Sequence, residues 1–181
     1  KTDAVSVEEP LEIQIAFGPE ENRIIQSLSI TMRTPGNDDE LAVGFLFTEG
    51  IIHNQTDVLS AKHIHTLPGI SSNYILVSLS PDLLFNPSQL QRNFYTSSSC
   101  GFCGKSSLDS VKTQMPPASG KFTPSLPADL ILTLPQILRQ QQETFETTGG
   151  LHASGLFDTT GNLLYLREDV GRHNALDKLI G

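Results

Sequence analysis

Apolar and polar residues alternate in AVSVEEPLEIQIAF, residues 4 to 17, after a polar start. Leu11, Ile13, Ile15 and Phe17 fall on one face, the period-two pattern of a strand with one buried side. PEENR is a turn. Residues 23 to 33 alternate again, less cleanly, with Ile24, Leu28, Ile30 and Met32 on one face. The two runs predict a β-hairpin. Pro35 and Gly36 end it, and the period then changes. Leu41, Phe45 and Thr48 recur at helical spacing, and Gly50 stops that helix. Asn37 with Glu40 three residues on is a capping-box pattern. Asp38 and Asp39 put negative charge where the helix dipole favours it. The acidic cluster therefore reads equally well as a cap or as a ligand-facing group.

Residues 58 to 66 and 73 to 80, VLSAKHIHT and NYILVSLS, predict two more strands. His63 and His65 share a face of the first. That is half a metal site at most, and an exposed polar face explains it better. Residues 81 to 99 read as a connection, and a short helix is predicted over 106 to 112. MPPASGKFTPSLP, residues 115 to 127, holds four prolines and is the best linker. Residues 127 to 147 are helical in pattern, with Leu130, Leu134, Ile137, Leu138 and Phe145 on one face. Pro135 predicts a restart there, with Thr133 as cap. HASGLFD and NLLYLRE are strands joined by TTG. EDVGRHNALDKLIG follows as a helix with Asp169 as the expected cap.

This order predicts an α/β protein: a β-rich region over 1–114, a linker over 115–126 and a second α/β part over 127–181. The length suffices for a real core. The net charge of −8 argues against general nucleic-acid binding. No apolar run approaches transmembrane length, so no membrane partner is expected. The chain shows no secretory leader, and its two cysteines at CxxC spacing suit a reducing cytoplasm.

Those cysteines, Cys100 and Cys103, sit in SSSCGFCGKSS, residues 97 to 107. Gly101 and Gly104 let the loop bend, and Lys105 follows closely. A thiolate there lies near a cation and several backbone N–H groups, which lowers a cysteine pKa and makes it nucleophilic. A CxxC pair can also be half of a zinc site, a redox pair or two idle thiols. Structural zinc takes four ligands, and no second CxxC is present, so no metal is assigned. The pair is read as chemically active.

Four blocks, RTPGNDDELAVGFLFTEGII, SSSCGFCGKSS, TTGGLHASGLFD and REDVGRHNALDKLIG, together resemble the formate dehydrogenase accessory sulfurtransferase family, FdhD. They are collinear and spread over the whole chain. The resemblance implies a sulfurtransferase that takes persulfide sulfur from a cysteine desulfurase. It passes that sulfur to the molybdenum cofactor in its bis(molybdopterin guanine dinucleotide) form, as formate dehydrogenase requires. By the family pattern Cys100 is the persulfide carrier and Cys103 its neighbour, assisting or resolving. The implied fold is cytidine deaminase-like in its C-terminal part, with an added N-terminal β-rich region. The family continues past Gly181, so residues that it places there are not carried over.

Deamination itself does not follow. RHNAL stands where a zinc deaminase would hold its metal-binding His and catalytic Glu, yet Asn174 and Ala175 follow His173. A non-enzymatic, cofactor-binding chaperone of formate dehydrogenase is the alternative function, and a homodimer is compatible with the pattern. For the nucleotide phosphates, the helix N-terminus at Gly171, Arg172 and His173, with Arg167 on the preceding strand, is the expected site for the cofactor or a GDP-like nucleotide. The competing expectation is that Arg167 and Arg172 only pair with Glu168, Asp169 or Asp177.

Overall fold

The strand period sets most of the buried positions on the first strand of the hairpin. The computed structural model describes residues 4–64, 73–83 and 125–181. In it β1 (Glu9–Phe17) and β2 (Ile24–Arg33) pair antiparallel. Leu11, Ile13 and Ile15 are fully buried and Phe17 nearly so. On β2 the expected apolar face splits. A register shift at Ile13/Gln14 pairs Ile13 with Ser29 and Gln14 with Ser27, leaving Leu28 as the extra residue. A bulge of this kind turns side chains beyond it to the other face. Leu28 is buried, whereas Ile24, Ile30 and Met32 stay about half exposed.

The chain then forms α1 (Asp38–Thr48) and a short 3-10 turn over Gln55–Asp57, followed by β3 (Val58–His63) and β4 (Tyr74–Leu79). β4 pairs parallel to β1 and antiparallel to β3, so the four-stranded sheet runs β2-β1-β4-β3. α1 covers its inner face through Leu41, Ala42 and Leu46, against Ile75, Val77 and Leu79. Only the first residue of the expected helical stripe is deeply buried. Thr48 is exposed, and Phe45 packs at the edge of the core.

The helical stretch after 127 forms two helices, α2 (Ala128–Gln140) and α3 (Glu143–Thr148). Pro135 lies inside α2 without breaking it, and the interruption comes instead at residues 141–142. Proline lacks the N–H for Ile131 O and crowds that carbonyl, which bends rather than ends a helix when packing holds both halves. Leu130, Leu134, Ile137 and Leu138 are half-buried as expected, over the next hairpin. That hairpin is β5 (His152–Phe157) and β6 (Leu163–Asp169), a sheet of two strands. Gly161 lies in its turn at φ +89, a left-handed conformation that favours glycine, and a Cβ there would displace the tip of Leu130.

The chain ends in α4 (Arg172–Ile180). α4 packs on α1 as well as on β5 and β6, joining the two regions read from the sequence. The helices meet backbone to backbone. A Cβ on Gly44 would lie 1.9 Å from the carbonyl oxygen of Asp177. Among the described residues the architecture is mixed α/β with four α-helices. No described helix is long and apolar enough to cross a membrane. The CxxC loop, the helix expected over 106–112 and residues 115–124 of the expected linker fall outside the described residues, as does His65.

Candidate functional site at the junction of α1, β6 and α4

The N-termini of α1 and α4 and the end of β6 converge, and three buried or half-buried ion pairs hold them. The deepest joins Asp169 and Lys178, 0% and 2% exposed at their side chains, at 2.8 Å. Asp169 is not the helix cap expected of it. It ends β6, and Gly171 stands at the N-cap with no side-chain bond. The Asp169 carboxylate accepts from Gly171 N (2.8 Å), Thr34 N (3.1 Å) and Asn174 Nδ2 (3.0 Å). Lys178 also donates to Thr34 O at 2.7 Å. A carboxylate with four donors is satisfied where an unpaired one would be very costly. The network pins the chain after β2 to the start and end of α4.

The second pair anchors α1. Arg33, 1% exposed, donates from Nε and Nη2 to Asp38 at 3.1 and 2.9 Å. Its Nη1 lies 3.3 Å from Glu9 Oε2. His63 Nε2 approaches Asp38 Oδ2 at 3.2 Å, so His63 serves the α1 anchor. Asn37, the expected capping residue, adopts a left-handed conformation (φ 55, ψ 36) and makes no side-chain cap bond. Its box partner Glu40 is drawn elsewhere by a stronger, charged donor.

That donor is Arg167. Its Nε and Nη2 both bond the Glu40 carboxylate, the latter at 2.5 Å. This hydrogen-bonded pairing raises the Arg167 pKa, with nearby Tyr165 and Asp39 adding to it. Nη1 turns back to Leu166 O at 2.8 Å. None of the three acidic partners considered from the sequence pairs with Arg167 or Arg172. Glu168 accepts from Thr144 N and Phe145 N, capping α3. Asp169 serves Lys178, and Asp177 accepts from Thr48 Oγ1 at 3.1 Å. Burial pushes the Asp177 carboxyl up to about 7, against the opposing Thr48 bond.

The site residues read from the sequence thus divide. Arg172 and His173 lie exposed in the first turn of α4, where free N–H groups and the dipole favour an anion. Gly171 has its N–H committed to Asp169, so its part is close approach, with Asn174 at 3.1 Å from a would-be Cβ. Arg167 is half-buried in its clamp. Cys100 and Cys103 fall outside the described residues. Glu40 and Lys178 were missed as partners. The sequence signal for each was weak, an acidic residue in a first turn and a basic one in a last turn, both already explained by the dipole. Among the described residues no group of His, Cys, Asp or Glu could hold a metal ion.

Comparison with known proteins gives this junction a context. In Streptomyces coelicolor, "Sulfur carrier protein FdhD" is 44% identical over 191 residues, covering 100% of this chain and 63% of that protein. The protein of the same name from Mycolicibacterium paratuberculosis is 44% identical over 186 residues, covering 100% of this chain and 65% of its own length. The chain therefore spans somewhat under two thirds of these curated relatives. The crystal structure of a protein from Desulfotalea psychrophila, described as a formate dehydrogenase accessory protein, superposes with a TM-score of 0.65 at 22% identity. It covers 98% of this chain and 60% of that one, and at that identity it speaks for the fold. The model of the FdhD/NarQ family matches residues 6–181, and with relatives of this similarity the chain belongs to that family.

Proposed function

We propose that the chain is a sulfur carrier acting as a sulfurtransferase, with Cys100 as the persulfide-bearing residue. The observation that carries this reading is the family match over residues 6–181, which includes the CxxC pair. The names of its relatives, sulfur carrier proteins, support it. In the proposed step the Cys100 thiolate attacks the outer sulfur of a desulfurase persulfide. The donor S–S bond breaks, the desulfurase cysteine leaves as a thiolate, and a Cys100 persulfide forms. Lys105 favours the anionic nucleophile. The acceptor is the molybdenum cofactor in its bis(guanine dinucleotide) form, and the beneficiary is formate dehydrogenase. Cys103 can assist release by attacking Cys100 Sγ, forming a disulfide that a cellular thiol then reduces.

The cofactor's phosphates are proposed to dock at the α4 N-terminus. Arg172 and His173 are exposed there, and the first-turn N–H groups point outward. The acidic start of α1 repels phosphate, which favours α4 of the two helices.

Intact mass after incubation with a cysteine desulfurase and cysteine tests the carrier step. The wild type should gain mass in steps of about 32 daltons, one sulfur each. Cys100→Ala should gain none and fail to mature formate dehydrogenase, while remaining folded. Maturation that survives blocked thiols would favour the chaperone function instead.

A further inference from the structure

Hydrogen counting at the contact between α1 and α4 sets one carboxyl apart. Asp38, Asp169 and Glu40 each face a guanidinium or ammonium group. Asp177, 7% exposed, pairs with no cation among the described residues. Its neighbour is Thr48 Oγ1 at 3.1 Å, and that hydroxyl also lies 3.1 Å from Phe45 O. A hydroxyl carries one proton. With Asp177 ionised, two acceptors compete for that proton, and one contact is left between two oxygens with no hydrogen between them. With Asp177 protonated, its O–H donates to Thr48 Oγ1 and the hydroxyl donates to Phe45 O. Both contacts are then filled, and one directed chain joins α4 to α1.

The surrounding charges do not replace the missing cation. On α1, Glu49 is close enough to act on Asp177 and is itself negative. Asp39 and Glu40 lie at the other end of that helix, beside Arg167. On α4, Lys178 is committed to Asp169 and Thr34 O, and Arg172 and His173 are exposed in the first turn. On the hairpin that packs against α4, His152 is exposed and Glu168 caps α3. Burial, with Glu49 adding to it, pushes the Asp177 carboxyl up to about 7. The helices touch through backbone, Gly44 against Asp177 and Gly181 against Glu40. Helices in such contact cannot move closer, so a charge between them is relieved by parting.

We propose that the Asp177–Thr48 contact is a proton-operated latch: a proton on the Asp177 carboxyl ties α4 to α1, and its loss to water leaves a buried charge that loosens the two helices. The sign follows from linkage. Between 3.8, the value of an unperturbed aspartate, and about 7, each rise of one pH unit favours the opened form by up to about tenfold, and above that range the effect levels off. Arg172 and His173 are carried on the same helix, so a change of pH reaches them through Asp177.

Two measurements on the intact chain test it. Carbon NMR of the carboxyl groups should show Asp177 still protonated at pH 6. Titration in the ordinary carboxylate range, below about pH 5, overturns the inference without any variant. Amide hydrogen exchange, corrected for its intrinsic pH dependence, reads the latch itself. Amides of α4 and of the second half of α1 should open more readily than those of β1, and their opening should increase about tenfold or more from pH 5 to pH 8. Asp177→Asn keeps a donor toward Thr48 at every pH and should abolish that dependence. Exchange of these amides only in step with β1 would make Asp177 a matter of global stability and overturn the latch. So would a folded Asp177→Asn variant that follows the wild type across the same pH range.

Discussion

The four-stranded sheet with α1 and the β5–β6 hairpin with α2 solve the same problem differently. The first buries Leu11, Ile13, Ile15, Leu41, Leu46, Ile75, Val77 and Leu79 almost completely. In the second, α2 has no buried residue, and Leu132, Leu156, Leu164 and Tyr165 are about half exposed or more. A two-stranded sheet is marginal by itself. Its position depends on α4, which reaches it from α1 through ion pairs and a glycine contact. One region is held by apolar burial, the other largely by polar geometry. The candidate site lies on the seam, where the position of Arg167 is set by a carboxylate of the first region.

The comparison is broken most severely at the Asp169–Lys178 pair. Lys178→Ala leaves a fully buried carboxylate without its cation, and should cost about 3–5 kcal/mol. Urea unfolding measures it. A cost under about 1 kcal/mol would mean that the three neutral donors suffice and the seam is not electrostatic. Apolar burial is tested by a pair of truncations. Leu41→Ala in the closed core should cost about 2–5 kcal/mol, while Leu132→Ala, 77% exposed on α2, should stay within about 0.5 kcal/mol. Equal costs would erase the distinction between the two regions.

Gly44→Ala probes the helix contact, where the new methyl meets the Asp177 carbonyl and the helices must separate. The expected loss is about 1–3 kcal/mol or more, read as a lowered melting temperature. A further test is a pH slope. Burial holds the Asp177 carboxyl at about 7 when folded, against 3.8 for an unperturbed aspartate. Below 3.8 both states are protonated and nothing is lost. Between 3.8 and about 7 the unfolded chain gives up its proton first, so stability falls as pH rises, and the loss is complete above that range. Asp177→Asn should flatten this slope and raise the melting temperature at pH 8 relative to the wild type.

Much of the secondary structure was legible along the chain, because strand and helix periods are local. Leu11 to Phe17, the strands β3 and β4 and the half-buried stripe of α2 all follow from spacing alone. The misjudged elements share a cause. The strand period puts Leu28, Ile30 and Met32 on one face, and the one-residue bulge at Leu28 that separates them has no periodic signature. Pro135 was read as a break because its local cost is visible, while the packing of α2 over Gly161 is not. The cysteine pair, its spacing and its basic neighbour are matters of sequence, and with them the family and the sulfur chemistry proposed here. What only tertiary structure decided is which charge meets which. Glu40 lies 127 residues from Arg167, and Asp169 chose Lys178 and Thr34 over a capping role. Such pairings depend on distances across the fold and on burial that makes an unpaired charge intolerable, and neither quantity is written in the order of residues.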